Sequence, residues 1–291
     1  MLPAVLISVV LAVAVGVRVA HGTHVVDPRI QDVVVPSPAL GGSLQAVVVL
    51  PADYATSGER YPVITFLHGL PAGPGAYRDV GFLERALDAT GDDAIIVAPQ
   101  GARGGDTDPE YLDWGPGRNW ETAVSRDLRR YVDATYRTIP NRTGRAMAGL
   151  SAGGYGAMLV ALHDLGDFGV IESWSGYFHP TDPSGTSALD LGSKAANDHA
   201  SAHTLIARLK LDLRARPTFV AFYVGREDSR FRRENVLLHH ELLAAGIAHT
   251  FAIYPGGHTR AVWQSHAAQW LGLALTHLAK AGPPPPATPG S

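Results

Sequence analysis

From residue 63 onward, short apolar runs alternate with stretches of helical periodicity. Runs at 63–67, 94–98, 145–150, 170–175, 218–224 and 249–254 are mostly hydrophobic, the pattern of strands covered on both faces. Ahead of them, 33–35 and 45–50 are separated by proline-rich sequence and Gly41-Gly42, which predicts an opening antiparallel pair. The clearest helical pattern lies over 121–136. There Val124, Leu128, Tyr131, Val132 and Thr135 recur on one face, while Arg126, Arg129 and Arg130 fall elsewhere. Strand following helix following strand predicts an α/β protein with a mostly parallel central sheet, flanked by helices in right-handed crossovers. No repeat and no long linker divides the chain.

Both ends depart from this pattern. Residues 2–16 are almost wholly apolar, broken only by Pro3 and Ser8, which predicts a signal peptide or membrane anchor over 1–22. No Lys or Arg precedes the apolar run, and the best small-x-small site, Ala20-His21-Gly22, is mediocre, so a signal anchor stands beside a cleaved peptide. Either implies an exported product, secreted or held at the cell envelope. Pro283 to Pro286 open an extended tail, assigned to 282–291, leaving 23–281 as the folded domain.

Composition narrows the chemistry. With 46% hydrophobic residues in 291, the chain has ample material for a buried core. A net charge of -3 and scattered basic residues leave no footprint for nucleic acid, so a small molecule is the expected partner. There is no cysteine, which removes disulfides, thiolate metal sites and a Cys nucleophile.

Gly149-Leu150-Ser151-Ala152-Gly153 fits the nucleophile-elbow pattern G-x-S-x-G, with a predicted strand before it and a predicted helix over 154–163 after it. The turn is so tight that only glycines fit beside the serine. Ser151 would stand exposed above the sheet, and the Ala152 backbone N–H would face a developing oxyanion. A serine hydroxyl needs a base, and the base needs an orienting carboxylate, in the chain order Ser, acid, His. Gly225-Arg226-Glu227-Asp228 and Pro255-Gly256-Gly257-His258 supply both just past later strands, where ligands gather in open α/β sheets. Asp228 is the expected acid, with Glu227 its rival, and His258 the expected base. His68-Gly69-Leu70 follows an earlier strand, and the Leu70 N–H is the expected second oxyanion donor. His68 itself is read as shaping that loop.

Other residues receive plainer readings. His199 and His203 have the i, i+4 spacing of a helical metal pair but no intervening Glu, and are read as surface or lid residues. His239-His240 belongs to a predicted helix. Asn141-Arg142-Thr143 matches a glycosylation acceptor without further support. Residues 177–202, rich in Pro, Gly, Ser and Asp, are expected to cover the site and select the substrate. Trp114 and Trp120 are read either as substrate contacts or as packing residues.

On these residues the chain resembles the esterase family of α/β-hydrolases, which includes feruloyl and acetyl xylan esterases, S-formylglutathione hydrolase and the antigen 85 mycolyltransferases. The resemblance spans about 33–278. It is carried by Tyr136-Arg137-Thr138-Ile139-Pro140, by residues 145–157, by Ser173-Trp174-Ser175-Gly176, and by the His68-Gly69 and Gly257-His258 pairs. Trp120-Glu121-Thr122 is similar to the segment before the corresponding helix of antigen 85 proteins. The resemblance implies the α/β-hydrolase fold, a triad at Ser151, Asp228 and His258, and oxyanion amides at Leu70 and Ala152. His258 is followed by Thr259-Arg260, where antigen 85 enzymes carry a Ser-Trp pair, which departs from the mycolyltransferase pattern. The expectation is a serine carboxylic-ester hydrolase working through an acyl-enzyme, with no metal or cofactor. An envelope acyltransferase and a non-catalytic binding protein on the same fold are the alternatives.

Overall fold

The computed structural model describes residues 28–69, 75–106, 110–182 and 187–284. The signal or anchor assigned to 1–22 lies outside them, as does most of the tail; Gly282, its first residue, pairs with Arg60. Among the described residues no helix is long and apolar enough to cross a membrane.

Among the described residues, all the apolar runs singled out as strands belong to one sheet. In chain order these are β1 (Ile30–Ser37), β2 (Gly42–Val49), β3 (Val63–Leu67), β4 (Ile95–Pro99), β5 (Arg145–Leu150), β6 (Val170–Trp174), β7 (Phe219–Gly225) and β8 (Thr250–Tyr254). Their spatial order is β1-β2-β4-β3-β5-β6-β7-β8. The β1–β2 and β2–β4 pairs are antiparallel, and every other pair is parallel. The reversal of chain order at β3 and β4 puts β5 near the middle, so whatever follows β5 emerges at the centre of the sheet's carboxyl edge.

The helices are α1 (Gly81–Thr90), α2 (Trp120–Thr122), α3 (Arg129–Thr135), α4 (Ala152–His163), α5 (Lys194–His199), α6 (Ala202–Ala215), α7 (Arg232–Ala245) and α8 (Arg260–Thr276). The helix predicted over 121–136 is continuous from Trp120, but a π-helical stretch, Ala123–Leu128, joins α2 to α3. Within that stretch the buried Asp127 carboxylate accepts from Ser37 Oγ at 2.9 Å and Ala39 N–H at 3.0 Å, a tie that period counting does not register.

Strand alternation sorts the core into two layers. Met147, Ile171 and Phe222 face α4, α6 and α7, which bring Met158, Leu205 and Leu238. Ala148, Trp174 and Tyr223 face α1 and α8, which bring Leu83, Leu87, Trp270 and Leu271. In the second layer Trp174 meets Phe66 and Trp270 at ring separations of 4.9 and 5.0 Å, and Tyr223 stacks on Trp270 at 4.7 Å. These wide rings, buried beneath the ends of β3, β6 and β7, make a stiff floor for the loops above.

Candidate active site

The turn from β5 into α4 is set by backbone contact. A Cβ at Gly149 would lie 2.3 Å from the Gly153 carbonyl oxygen, and one at Gly153 would lie 2.0 Å from that of Leu67. Both positions therefore require glycine. Between them Ser151 adopts φ 55°, ψ -122°, a strained conformation for a side-chain-bearing residue. The helix starts at Ala152, two residues earlier than its sequence pattern indicates, because the elbow itself is its cap. As the first residue of α4, Ala152 has an N–H without an intrahelical acceptor, and the positive end of the helix lies at Ser151.

His258 reaches this serine from the loop after β8. Its Nε2 lies 2.9 Å from Ser151 Oγ, and its Nδ1 lies 2.8 Å from Asp228 Oδ2. Gly256 makes the return possible with φ 106°, a conformation that a side chain would oppose. The imidazole is walled by Phe231 and Trp263, each ring 5.0 Å away and near edge-on. Trp263 is itself held by donating its indole N–H to Ser175 Oγ at 3.1 Å. Asp228 is buried, with its other oxygen accepting from the N–H groups of Arg230 at 3.2 Å and Phe231 at 3.1 Å. Two amides and an imidazole thus satisfy the carboxylate.

The two neighbouring acids at the end of β7 separate cleanly. Asp228 turns toward His258, whereas Glu227 accepts the N–H of Gly256 and ties the His258 loop to the β7 exit. His68 does shape its loop: Gly101 N–H donates to Nε2 at 2.9 Å, and Nδ1 lies 2.9 Å from the Gly69 carbonyl, to which it donates. That arrangement is a neutral imidazole, and burial pushes its pKa below the usual histidine value. Leu70, the expected second oxyanion donor, lies outside the described residues.

Ser151 and His258 open into a cavity of about 360 Å³. Its wall is mainly apolar, built by Phe66, Tyr77, Phe82, Leu83, Leu150 and Trp263, with Asp79, Arg230 and Arg260 as its charged members. Arg260 and Asp79 form an exposed ion pair at 2.6 Å. Most of these lining residues escaped sequence reading because they come from five separate stretches, around 66, 77–83, 150, 230 and 260–263, and nothing local marks them as sharing one wall.

The expected role of 177–202 as the site's cover is corrected: none of its described residues lines this cavity. The segment is instead tied down elsewhere, Tyr177 donating its hydroxyl to the buried Glu110 at 2.7 Å. Neither Trp114 nor Trp120 lines the cavity, and Trp120 is fully buried packing. His199 and His203 do not act as a pair. His199 stacks on His163, which bonds Glu121, whereas His203 lies between Glu234 and Glu241. His239 and His240 fall within α7 as expected. Asn141 uses its side-chain oxygen to accept from Thr143 N–H at 2.9 Å, capping a tight turn.

A strained serine at a helix start, an imidazole within reach, a buried carboxylate behind it and an eight-stranded sheet of this order together give the α/β-hydrolase fold with the site geometry of a serine hydrolase. The Esterase family profile matches residues 37–272. The chain belongs to that family. Among characterised sequences it is 35% identical over 173 residues to an esterase of Mycobacterium tuberculosis, covering 57% of this chain and 38% of the relative. It is 26% identical over 179 residues to the MPT51/MPB51 antigen of Mycobacterium bovis, covering 61% and 55%. The chain thus spans between about a third and just over half of the length of these relatives. Among solved structures, a ferulic acid esterase superposes with TM-score 0.70 at 23% identity, covering 86% of this chain and 98% of that one. An S-formylglutathione hydrolase from Agrobacterium tumefaciens gives TM-score 0.70 at 18% identity, covering 85% and 95%. At these identities the structural matches establish the fold.

Proposed function

We propose that the protein hydrolyses carboxylic esters through a Ser151–His258–Asp228 triad and an acyl-enzyme intermediate. The observation that carries this reading is the unbroken chain of contacts from Ser151 Oγ through His258 to Asp228, 2.9 and 2.8 Å long. His258 Nε2 removes the Ser151 proton as Oγ attacks the ester carbonyl, and the Asp228 carboxylate steadies the imidazolium that forms. The tetrahedral oxyanion is met by the Ala152 N–H at the positive end of α4, with the Leu70 N–H proposed as its second donor. His258 then returns its proton to the leaving alkoxide, and water repeats the sequence on the acyl-enzyme, regenerating Ser151 and releasing the acid.

The apolar cavity beside Ser151 supports an acyl group of modest size as the part bound there, with the alcohol portion toward the Asp79–Arg260 side. The apolar segment at 2–16 supports export to the cell envelope, which cell fractionation tests directly. Function is tested with p-nitrophenyl esters from acetyl to palmitoyl. Hydrolysis peaking at short to medium acyl chains and vanishing in Ser151→Ala is the expected result. No turnover of any ester by the wild-type chain rejects the reading.

A further inference from the structure

Away from the triad, on the α6–α7 side of the sheet, a second cluster of chemically able side chains stands unused by ester hydrolysis. His179 follows the β6 exit, His203 opens α6, and Glu234 lies in the first turn of α7. One Glu234 oxygen faces both imidazoles, 2.7 Å from His179 Nδ1 and 3.4 Å from His203 Nε2, and all three ligand atoms lie within 4.8 Å of one another. A tetrahedral zinc ion with bonds of about 2.0 Å separates its ligand atoms by about 3.3 Å, so the triangle needs adjustments of a fraction of an ångström up to about 1.5 Å.

Two features set this cluster apart from an ordinary ion pair. First, the far nitrogen of His203, Nδ1, is held at 2.5 Å by the Glu241 carboxylate. That is the carboxylate–imidazole support that fixes the tautomer of a metal-binding histidine and aims Nε2 at the ion. Second, the ligands come from three elements and are partly sheltered, the His203 and Glu234 side chains being 18% and 14% exposed, while His179 at 37% leaves an approach from solvent. An open groove lined by His179, Pro180 and Asp190 gives onto that side.

The other histidine cluster, Glu121, His163 and His199, also draws on three elements, but its rings are set differently. Its two imidazoles stack nearly parallel, 4.1 Å apart and tilted by 14°, so their in-plane lone pairs do not converge. Both nitrogens of His163 are already engaged, by Glu121 and by the His199 carbonyl.

We infer that His179, His203 and Glu234 form a binding site for a single divalent zinc-type ion, with Glu241 orienting His203. Two neutral imidazoles and one carboxylate suit zinc, with water completing four-coordination. The ion would fasten the β6 exit to α6 and α7. Since α7 begins just after the Asp228 loop, it would brace the wall that carries Phe231 against His258. Its place is structural, outside the ester-hydrolysing cavity, and no reaction step passes through it.

The test uses the untagged full chain, stripped with chelator and then titrated with Zn²⁺ alone, followed by gel filtration and metal analysis. One retained equivalent is expected, with a melting temperature raised by roughly 5 °C or more at a hundredfold excess over Kd. His203→Ala and Glu234→Gln should each lose the retained ion and the thermal shift, while His163→Ala, in the other cluster, keeps both. Co²⁺ in place of Zn²⁺ should give the visible absorption of a four- or five-coordinate ion in the wild type and in His163→Ala, which decides the matter even if a ligand variant fails to fold. No retained Zn²⁺ in the wild type, uptake unchanged by both ligand substitutions, absence of that Co²⁺ absorption, or loss of it in His163→Ala would each overturn the inference.

Discussion

Ser151 and His258 meet at 2.9 Å but are brought there by different means. The serine side is held by main chain against main chain. Gly149 and Gly153 pack against backbone atoms of neighbouring segments so closely that no Cβ fits, and Ser151 N–H donates to the Trp174 carbonyl at 2.9 Å. The histidine loop shares one such contact, Gly225 against the Gly256 carbonyl, but its imidazole is held by side chains reaching across the loop: Asp228 on Nδ1, and Phe231 and Trp263 on the ring, with Glu227 on the Gly256 amide. The nucleophile is therefore placed by the fold, and the base by a set of removable contacts. Substitutions in the glycine frame around Ser151 should act through folding, whereas those on the histidine side should act through rate while leaving the fold intact.

The sharpest probe of the histidine side is Asp228→Asn, which preserves shape but not the tautomer that lets Nε2 accept a proton. It should lower kcat roughly 10⁴-fold with an unchanged melting temperature and near-UV spectrum. On the serine side, Gly153→Ala drives a methyl group to 2.0 Å from the Leu67 carbonyl oxygen. It should destabilise the protein by about 3 kcal/mol or more, seen as a lowered denaturant midpoint, since backbone cannot yield as a side chain does.

Beneath the elbow, Glu172 pairs in register with Ala148 on β5 and is fully buried, accepting from Trp174 Nε1 at 3.1 Å and the Tyr223 hydroxyl at 3.0 Å. Burial, only partly opposed by these two hydrogen bonds, pushes its pKa up to about 8 from an ordinary 4.5. The folded state therefore holds a proton that the unfolded state releases. This group's stabilisation is fully present below about pH 4.5 and is lost as pH rises toward about 8. Glu172→Gln, which copies the protonated carboxyl, should raise the melting temperature at pH 8 by about 2–4 °C for each kcal/mol recovered, and little at pH 5. A wild type and variant that differ equally at both pH values would refute that account. The smallest effect is expected from Glu227→Gln, which keeps an acceptor for the Gly256 amide: a loss in kcat of less than about tenfold. A loss matching that of Asp228→Asn would reverse the assignment of the two acids.

The same contrast governs how much of the molecule could be read from its sequence. The inner strands β3 to β7 were legible because both-face burial leaves apolar runs, the edge strands β1 and β8 because their β-branched and aromatic residues do the same with less burial, and the elbow because backbone packing against backbone admits only glycine. The choice between Asp228 and Glu227 was visible as a pair but not resolved, since adjacent residues at a strand exit point in directions that only the turn decides. The expectation that 177–202 covers the site fails for its described residues, because Pro, Gly and Asp mark a loop without marking what it lies over. His199 and His203 were read as surface or lid residues and not as a metal pair, and the break between α5 and α6 does send them to different clusters. The cavity wall was invisible for the same reason: Tyr77, Phe82 and Trp263 look like core residues, and nothing local marks them as facing a void.

The central claim is that Ser151 is the nucleophile, activated by His258. It is tested most directly by incubating the full chain with a p-nitrophenyl alkylphosphonate and locating the adduct by intact and peptide mass spectrometry. The account predicts one phosphonyl group per chain, on Ser151, absent in Ser151→Ala and formed far more slowly in His258→Ala. An unmodified Ser151, or a stoichiometric adduct on another residue, would contradict it.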